Sequence, residues 1–133
     1  MQAVKARITN ALTHHSIIPT CDNSGAKLLK LVSVKNKKTV KGRYQSAGVG
    51  DLILASVVSG KQDMRNQVVF AVIVRQKKEY RRPDGTRIAF EDNAAVVLKD
   101  DKGTPKGTLF KGPIAKEACN KWPGIAKMAD IIV

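Results

Sequence analysis

The run Val68–Val74, VVFAVIV, is apolar and largely β-branched without interruption, the pattern of a strand buried on both faces. It changes abruptly into Arg75, Lys77, Lys78, Arg81 and Arg82, so charge begins where a core strand leaves the core. Pro83-Asp84-Gly85 then supplies a turn, Pro by holding φ at about −65° and Gly by tolerating positive φ, before Arg87 and the strand-like Ile88–Phe90. The stretch Val68–Leu98 therefore reads as a basic hairpin arm held by a β scaffold.

The rest of the chain agrees with such a scaffold. Ser16–Cys21, Leu28–Val34, Asp51–Val58, Val68–Arg75, Thr86–Phe90 and Ala94–Lys99 are short runs rich in Val, Ile, Leu and Ala. Gly, Asn, Asp and Pro punctuate them, notably at Asp22-Asn23-Ser24-Gly25, Gly48-Val49-Gly50-Asp51, Glu91-Asp92-Asn93 and Lys102-Gly103-Thr104-Pro105. This spacing predicts a mainly β fold, a small barrel or sandwich. After Gly112 the period changes: Pro113 suits a first helical position, and Ile114, Ala115, Ala118, Cys119 and Trp122 recur at helical spacing. The expectation is a helix over 113–122 ended by Pro123, a second short helical turn within Gly124–Ile131, and an apolar tail.

A chain of 133 residues supports one core, and with no repeat or linker the expectation is a single domain over 1–133. Lys and Arg number 24 against 11 Asp and Glu, a net charge of +13 that points first to nucleic acid and second to an anionic membrane surface. No run approaches the roughly 20 apolar residues of a membrane span, and MQAVKARITNALTHHS lacks the apolar core of a secretory signal, so a cytoplasmic protein without membrane partners is expected. Cys21 and Cys119 lack ligand or disulfide spacing, which argues for reduced thiols, no metal and no cofactor.

A second basic segment lies between Asp22 and Asp51, where Lys27, Lys30, Lys35, Lys37, Lys38, Lys41 and Arg43 occur without an acidic residue. Such lysines also protect β edges and keep a protein soluble. Two basic segments in one small chain, one of them rich in Arg, favour phosphate contact. Aromatic residues are only 5% of the chain and form no stacking platform at strand spacing, so recognition of RNA backbone and shape is expected over base stacking. Tyr44 and Tyr80 fit either an exposed stacking role or cover for the core. The helical segment brings only Lys116 and Lys121, too little basic character for a major-groove recognition helix.

Enzymatic readings are weaker. Cys21 with His14 or His15 lacks an orienting group, and Asp22, Asp51, Asp84 and Asp92 each sit in turns where carboxylates cap backbone N–H groups. The chain contains no glycine-rich nucleotide fingerprint.

CDNSGAK at 21–27, GVGD at 48–51, VIVRQKKEYRRPDGTRIAFEDNAAVVL at 72–98 and GPIAKEACNKWPGIA at 112–126 occur in an order and spacing that resemble the large-subunit ribosomal protein family L-fourteen. FEDNA and KWPGIA are more similar to its archaeal and eukaryotic branch, and Val58–Gln67 is the poorest match. The resemblance implies a five-stranded β barrel with a hairpin arm and short C-terminal helices, bound to large-subunit rRNA at the face meeting the small subunit. It implies contribution to an intersubunit bridge, contact with small-subunit rRNA and neighbouring large-subunit proteins, and in some lineages a docking surface for an anti-association factor. Carried onto this chain, Lys27, Arg43, Arg75, Lys77, Lys78, Arg81, Arg82 and Arg87 are candidate rRNA contacts, joined by Lys37 and Lys38 of the basic loop. Asp22, Asn23, Gly25, Gly50, Asp51, Asp84, Gly85 and Asn93 are expected to shape turns. The alternative is an oligonucleotide-binding-type barrel acting on single strands, and the tail Ala129–Val133 suits either packing on the barrel or docking a protein.

Overall fold

The computed structural model describes residues 7–133; residues 1–6, the start of the N-terminal stretch that lacks an apolar signal core, lie outside the described residues. In chain order the elements are β1 (Leu12–Thr13), β2 (Ile17–Pro19), β3 (Ala26–Val34), β4 (Ser46–Ala47), β5 (Leu52–Gly60), β6 (Val68–Arg75), β7 (Tyr80–Arg81), β8 (Arg87–Ile88), β9 (Ala94–Leu98), β10 (Pro113–Ile114), α1 (Lys116–Lys121), α2 (Pro123–Met128) and β11 (Ile131–Ile132). Five strands form one antiparallel sheet in the order β2-β3-β5-β6-β9. Register shifts between Ala26 and Ser33 in β3 and between Ile73 and Arg75 in β6 mark bulges, which bend strands and raise their twist. The sheet rolls until its two edges meet at a parallel bridge between Thr20 and Ala95, where the Cys21 N–H donates to the Ala95 carbonyl at 3.1 Å. The barrel expected from the sequence is thus a rolled five-stranded sheet joined by a bridge rather than by a full ladder.

The run at 68–75 forms β6 over its whole expected length, and from Ala71 onward it is buried on both sides. Because side chains alternate along a strand, Ala71 and Ile73 point into the rolled sheet with Ile18, Leu29, Ile53 and Val97. Val72 and Val74 point the other way, into a second core with Val96, Leu98, Ile114, Trp122 and Ile125. Full burial of each such Val, Leu or Ile side chain contributes roughly 1.5–3 kcal/mol. One layer therefore shields the outer face of β6 and β9, and the C-terminal segment supplies it.

That segment begins differently from the expectation. Ile114, Ala115, Ala118, Cys119 and Trp122 are all buried, but Pro113 and Ile114 form a strand and the helix starts at Lys116. The sheet takes the main-chain groups a helix would have used: the Ala115 N–H donates to Val74, and the Ile114 carbonyl accepts from Val133. Pro123 acts as expected, since Trp122 before it is extended and α1 stops there, while Pro123 itself opens α2. Helices of six residues are unstable alone, so packing holds them. The Trp122 indole N–H donates to the Gly50 carbonyl at 2.8 Å, and its ring lies so close to Gly103 that a Cβ there would stand 2.6 Å from Cε3.

The apolar tail does not sink into the barrel. It pairs with β10 in parallel, Pro113 opposite Ile131 and Ile114 opposite Ile132, and leaves Ile131, Ile132 and Val133 about half exposed.

Candidate nucleic-acid interface

The turns that present the basic loops are built by short polar side chains. Asn23 Oδ1 accepts from the N–H groups of Thr108 (2.6 Å) and Leu109 (3.1 Å), and Asp22 accepts from the N–H of Val97 at 2.9 Å. Burial pushes the Asp22 carboxyl above its usual range against these hydrogen bonds. Asp51 caps the Gly48 N–H at 2.8 Å, Asn93 accepts from the Lys77 N–H at 2.8 Å, and Asp84 accepts from both the hydroxyl and the N–H of Thr86. Those two bonds hold the exposed Asp84 carboxyl below its usual range. Gly25, Gly50 and Gly85 take positive φ at the corresponding turns. Of the turn residues named from the sequence, Asp51 and Asp84 cap neighbouring main chain, while Asn23 and Asn93 fasten their turns to main chain far along the sequence.

The candidate rRNA contacts divide into two groups. Lys27, Lys38, Arg43, Lys77, Lys78, Arg81 and Arg87 are exposed. Arg87 lies 3.3 Å from Glu79, but both side chains are more than half exposed, and such a pair stabilises by less than about 1 kcal/mol and gives way readily to a phosphate. Arg75, Arg82 and Lys37 differ from these seven in that each is engaged by hydrogen bonds within the protein.

Arg75 is 8% exposed. Its Nη1 donates to the carbonyls of Lys111 (2.9 Å) and Pro113 (3.1 Å), and its Nε lies 3.1 Å from Asp92. Set at the end of a core strand, the guanidinium ties β6 to β10 through these main-chain carbonyls. Arg82 folds back on α1: its Nε donates to Glu117 Oε1 at 2.7 Å and its Nη2 to the Val133 main-chain oxygen at 2.6 Å. Glu117, 6% exposed, also accepts from the Tyr80 hydroxyl at 2.7 Å. Burial works against the charge on Arg82, but its hydrogen bonds with Glu117 outweigh this and raise its pKa. Burial, with the Glu117 carboxylate beside it, drives the Tyr80 phenol well above the ordinary tyrosine range. Tyr80 is thus a core residue, fully buried, while Tyr44 is 77% exposed. Lys37 donates to the Ser46 carbonyl at 3.1 Å and to Asp51 at 2.8 Å, fastening the basic loop to the sheet.

The fold also brings in cations that sequence spacing did not connect. Lys27, Lys61 and Lys111 line one shallow cleft beside Asp22 and Asn23. They come from β3, the loop after β5 and the segment before β10, so only the closing of the sheet brings them together.

The thiols are unsuited to nucleophilic chemistry. Burial first, then nearby carboxylates, pushes Cys21 up to about 11, and burial likewise raises Cys119. Both are free and buried. Among the described residues no three His, Cys, Asp or Glu side chains are grouped to hold a metal ion, and no helix is long and apolar enough to cross a membrane.

The sequence that builds this fold matches known proteins over nearly its whole length. Residues 11–133 match the family model described as ribosomal protein L14p/L23e. The chain is 54% identical over 133 residues, covering all of both chains, to the large ribosomal subunit protein uL14 of Nanoarchaeum equitans (strain Kin4-M). It is 50% identical to the protein of the same name from Halobacterium salinarum, again over all of both chains, and 47% identical to that of Methanococcus vannielii over 99% of each. These relatives are archaeal, in keeping with the FEDNA and KWPGIA segments, and they are structural ribosomal proteins rather than enzymes. The match runs through the sheet, the arm and both C-terminal helices, and the chain belongs to the ribosomal protein L14p/L23e family of the large ribosomal subunit.

Proposed function

We propose that this protein binds large-subunit rRNA by neutralising phosphates with Lys27, Lys38, Arg43, Lys77, Lys78, Arg81 and Arg87, and fits a preformed RNA surface with little base-specific readout. The observation that carries this reading is the division of labour in the arm. Its two inward arginines, Arg75 and Arg82, lock it to the C-terminal layer, which leaves Lys77, Lys78 and Arg81 outward on a fixed base. A rigid array of cations loses less freedom on binding than a mobile loop would. On the same reading the protein lies at the face where the subunits join and contributes to a bridge with small-subunit rRNA. The exposed strand Ile131–Ile132 then serves contacts with neighbouring large-subunit proteins or an anti-association factor.

The test is a salt titration of binding to large-subunit rRNA transcribed in vitro. The combined variant Lys77→Ala, Lys78→Ala, Arg81→Ala is expected to reduce the log–log salt slope by about 0.7–0.9 for each phosphate that is no longer neutralised. An unchanged slope removes the arm from the RNA, and stronger binding to unstructured oligonucleotides than to folded rRNA favours a single-strand binder.

A further inference from the structure

The rolled sheet places two turns together that the sequence keeps apart. The His14 ring, in the turn between β1 and β2, lies parallel to Tyr44 at the end of the basic loop, with ring centroids 5.9 Å apart and planes 7° from parallel. His15 packs on His14 at 3.7 Å, so three rings form a short ladder. Tyr44 ends it, near-parallel to His14 and 77% exposed. Core cover does not explain a tyrosine so open, because most of its surface stays in solvent.

Both turns are anchored. The His15 N–H donates to Leu31 on β3 at 2.9 Å. Beside Tyr44, the Gln45 side chain accepts from the Val34 N–H at 3.0 Å and donates to the Lys37 carbonyl, while Lys37 holds Ser46 and Asp51. The ring is therefore displayed by a fixed loop base. That same loop carries Lys38, Lys41 and Arg43, all exposed, so one loop presents both an aromatic ring and phosphate-seeking cations.

We propose that Tyr44, backed by His14, is a stacking site for one unstacked nucleobase of the large-subunit rRNA, with the loop cations taking the adjoining phosphates. This rests on the rRNA-binding reading above and adds a base contact to a mode otherwise made of backbone contacts. A base has two open π-faces once it leaves a helix, and stacking on an aromatic side chain needs no sequence-specific hydrogen bond.

The experiment measures binding of the full chain to in vitro transcribed archaeal large-subunit rRNA across a salt series, with circular dichroism to verify folding. Tyr44→Ala is expected to weaken binding about 5- to 140-fold, from the roughly 1–3 kcal/mol seen per stacked base, and to leave the salt slope unchanged. Tyr44→Phe and Tyr44→Trp should stay within about twofold of the native chain, since either ring stacks. Unaltered affinity in Tyr44→Ala overturns the proposal, as does full rescue by Tyr44→Leu or a flattened slope in Tyr44→Ala. Failure of the native chain to bind rRNA refutes the wider reading and this one together; native binding with an indifferent Tyr44 refutes the stacking site alone.

Discussion

Arg82→Ala should be among the most damaging single changes that leave the apolar core untouched. The side chain pairs with Glu117 at 2.7 Å, where the two side chains are only 15% and 8% exposed. Removing it strands a buried carboxylate with Tyr80 as its remaining side-chain donor. Breaking such a pair costs about 3–5 kcal/mol, and the position near the surface, where water can reach part of the gap, argues for about 3. It also frees the Val133 oxygen and so loosens β11. With a urea m-value of about 1.5–3 kcal/mol/M, the unfolding midpoint should fall by about 1–2 M. Tyr80→Phe keeps the ring and the ion pair and loses one hydrogen bond to a charged acceptor, about 1.5–2 kcal/mol. The double variant Arg82→Ala, Glu117→Gln removes the stranded charge and should recover at least about 1 kcal/mol relative to Arg82→Ala alone. Amide exchange at Val133 should accelerate in Arg82→Ala. An unfolding free energy within about 0.5 kcal/mol of the native value would refute the idea that this pair anchors the arm.

Two further outcomes follow from the packing. Gly103→Ala places a methyl group 2.6 Å from the Trp122 ring at a φ of +96°, and should cost roughly 2–3 kcal/mol and alter the near-ultraviolet spectrum of the tryptophan. Cys21 is displaced from its ordinary 9.0 to about 11. Its thiol keeps its proton longer when folded, so the associated stability is complete below pH 9 and is lost as pH rises toward 11. Over that window the native chain should lose up to about 3 kcal/mol more than Cys21→Ala, measured by denaturation at each pH; equal losses would contradict the burial argument.

The β runs and the turns were legible in the sequence because their signals are local. Val68–Arg75 appears as the whole of β6, Asp51 and Asp84 cap main chain two or three residues away, and Gly25, Gly50 and Gly85 supply the positive φ their turns require. The burial of Ile114, Ala115, Ala118, Cys119 and Trp122 was also readable, although the start of the helix was not, because distant strand groups at Val74 and Val133 claimed the main chain at 114 and 115. The direction each cation faces was beyond reach. Arg81 and Arg82 are neighbours of one kind, yet one meets water and the other meets Glu117, a residue 35 positions away.

The sequence by itself determined that the chain is a basic, mainly β protein with a charged arm after a strand buried on both faces, since hydrophobic period, turn chemistry and net charge are properties of neighbours and sums. Only the tertiary structure decided which charges remain outward, because a guanidinium is free or spent according to the carboxylates and carbonyls that folding brings within about 3 Å of it. The same closure of the sheet gathered Lys27, Lys61 and Lys111 into one cleft and set His14 against Tyr44.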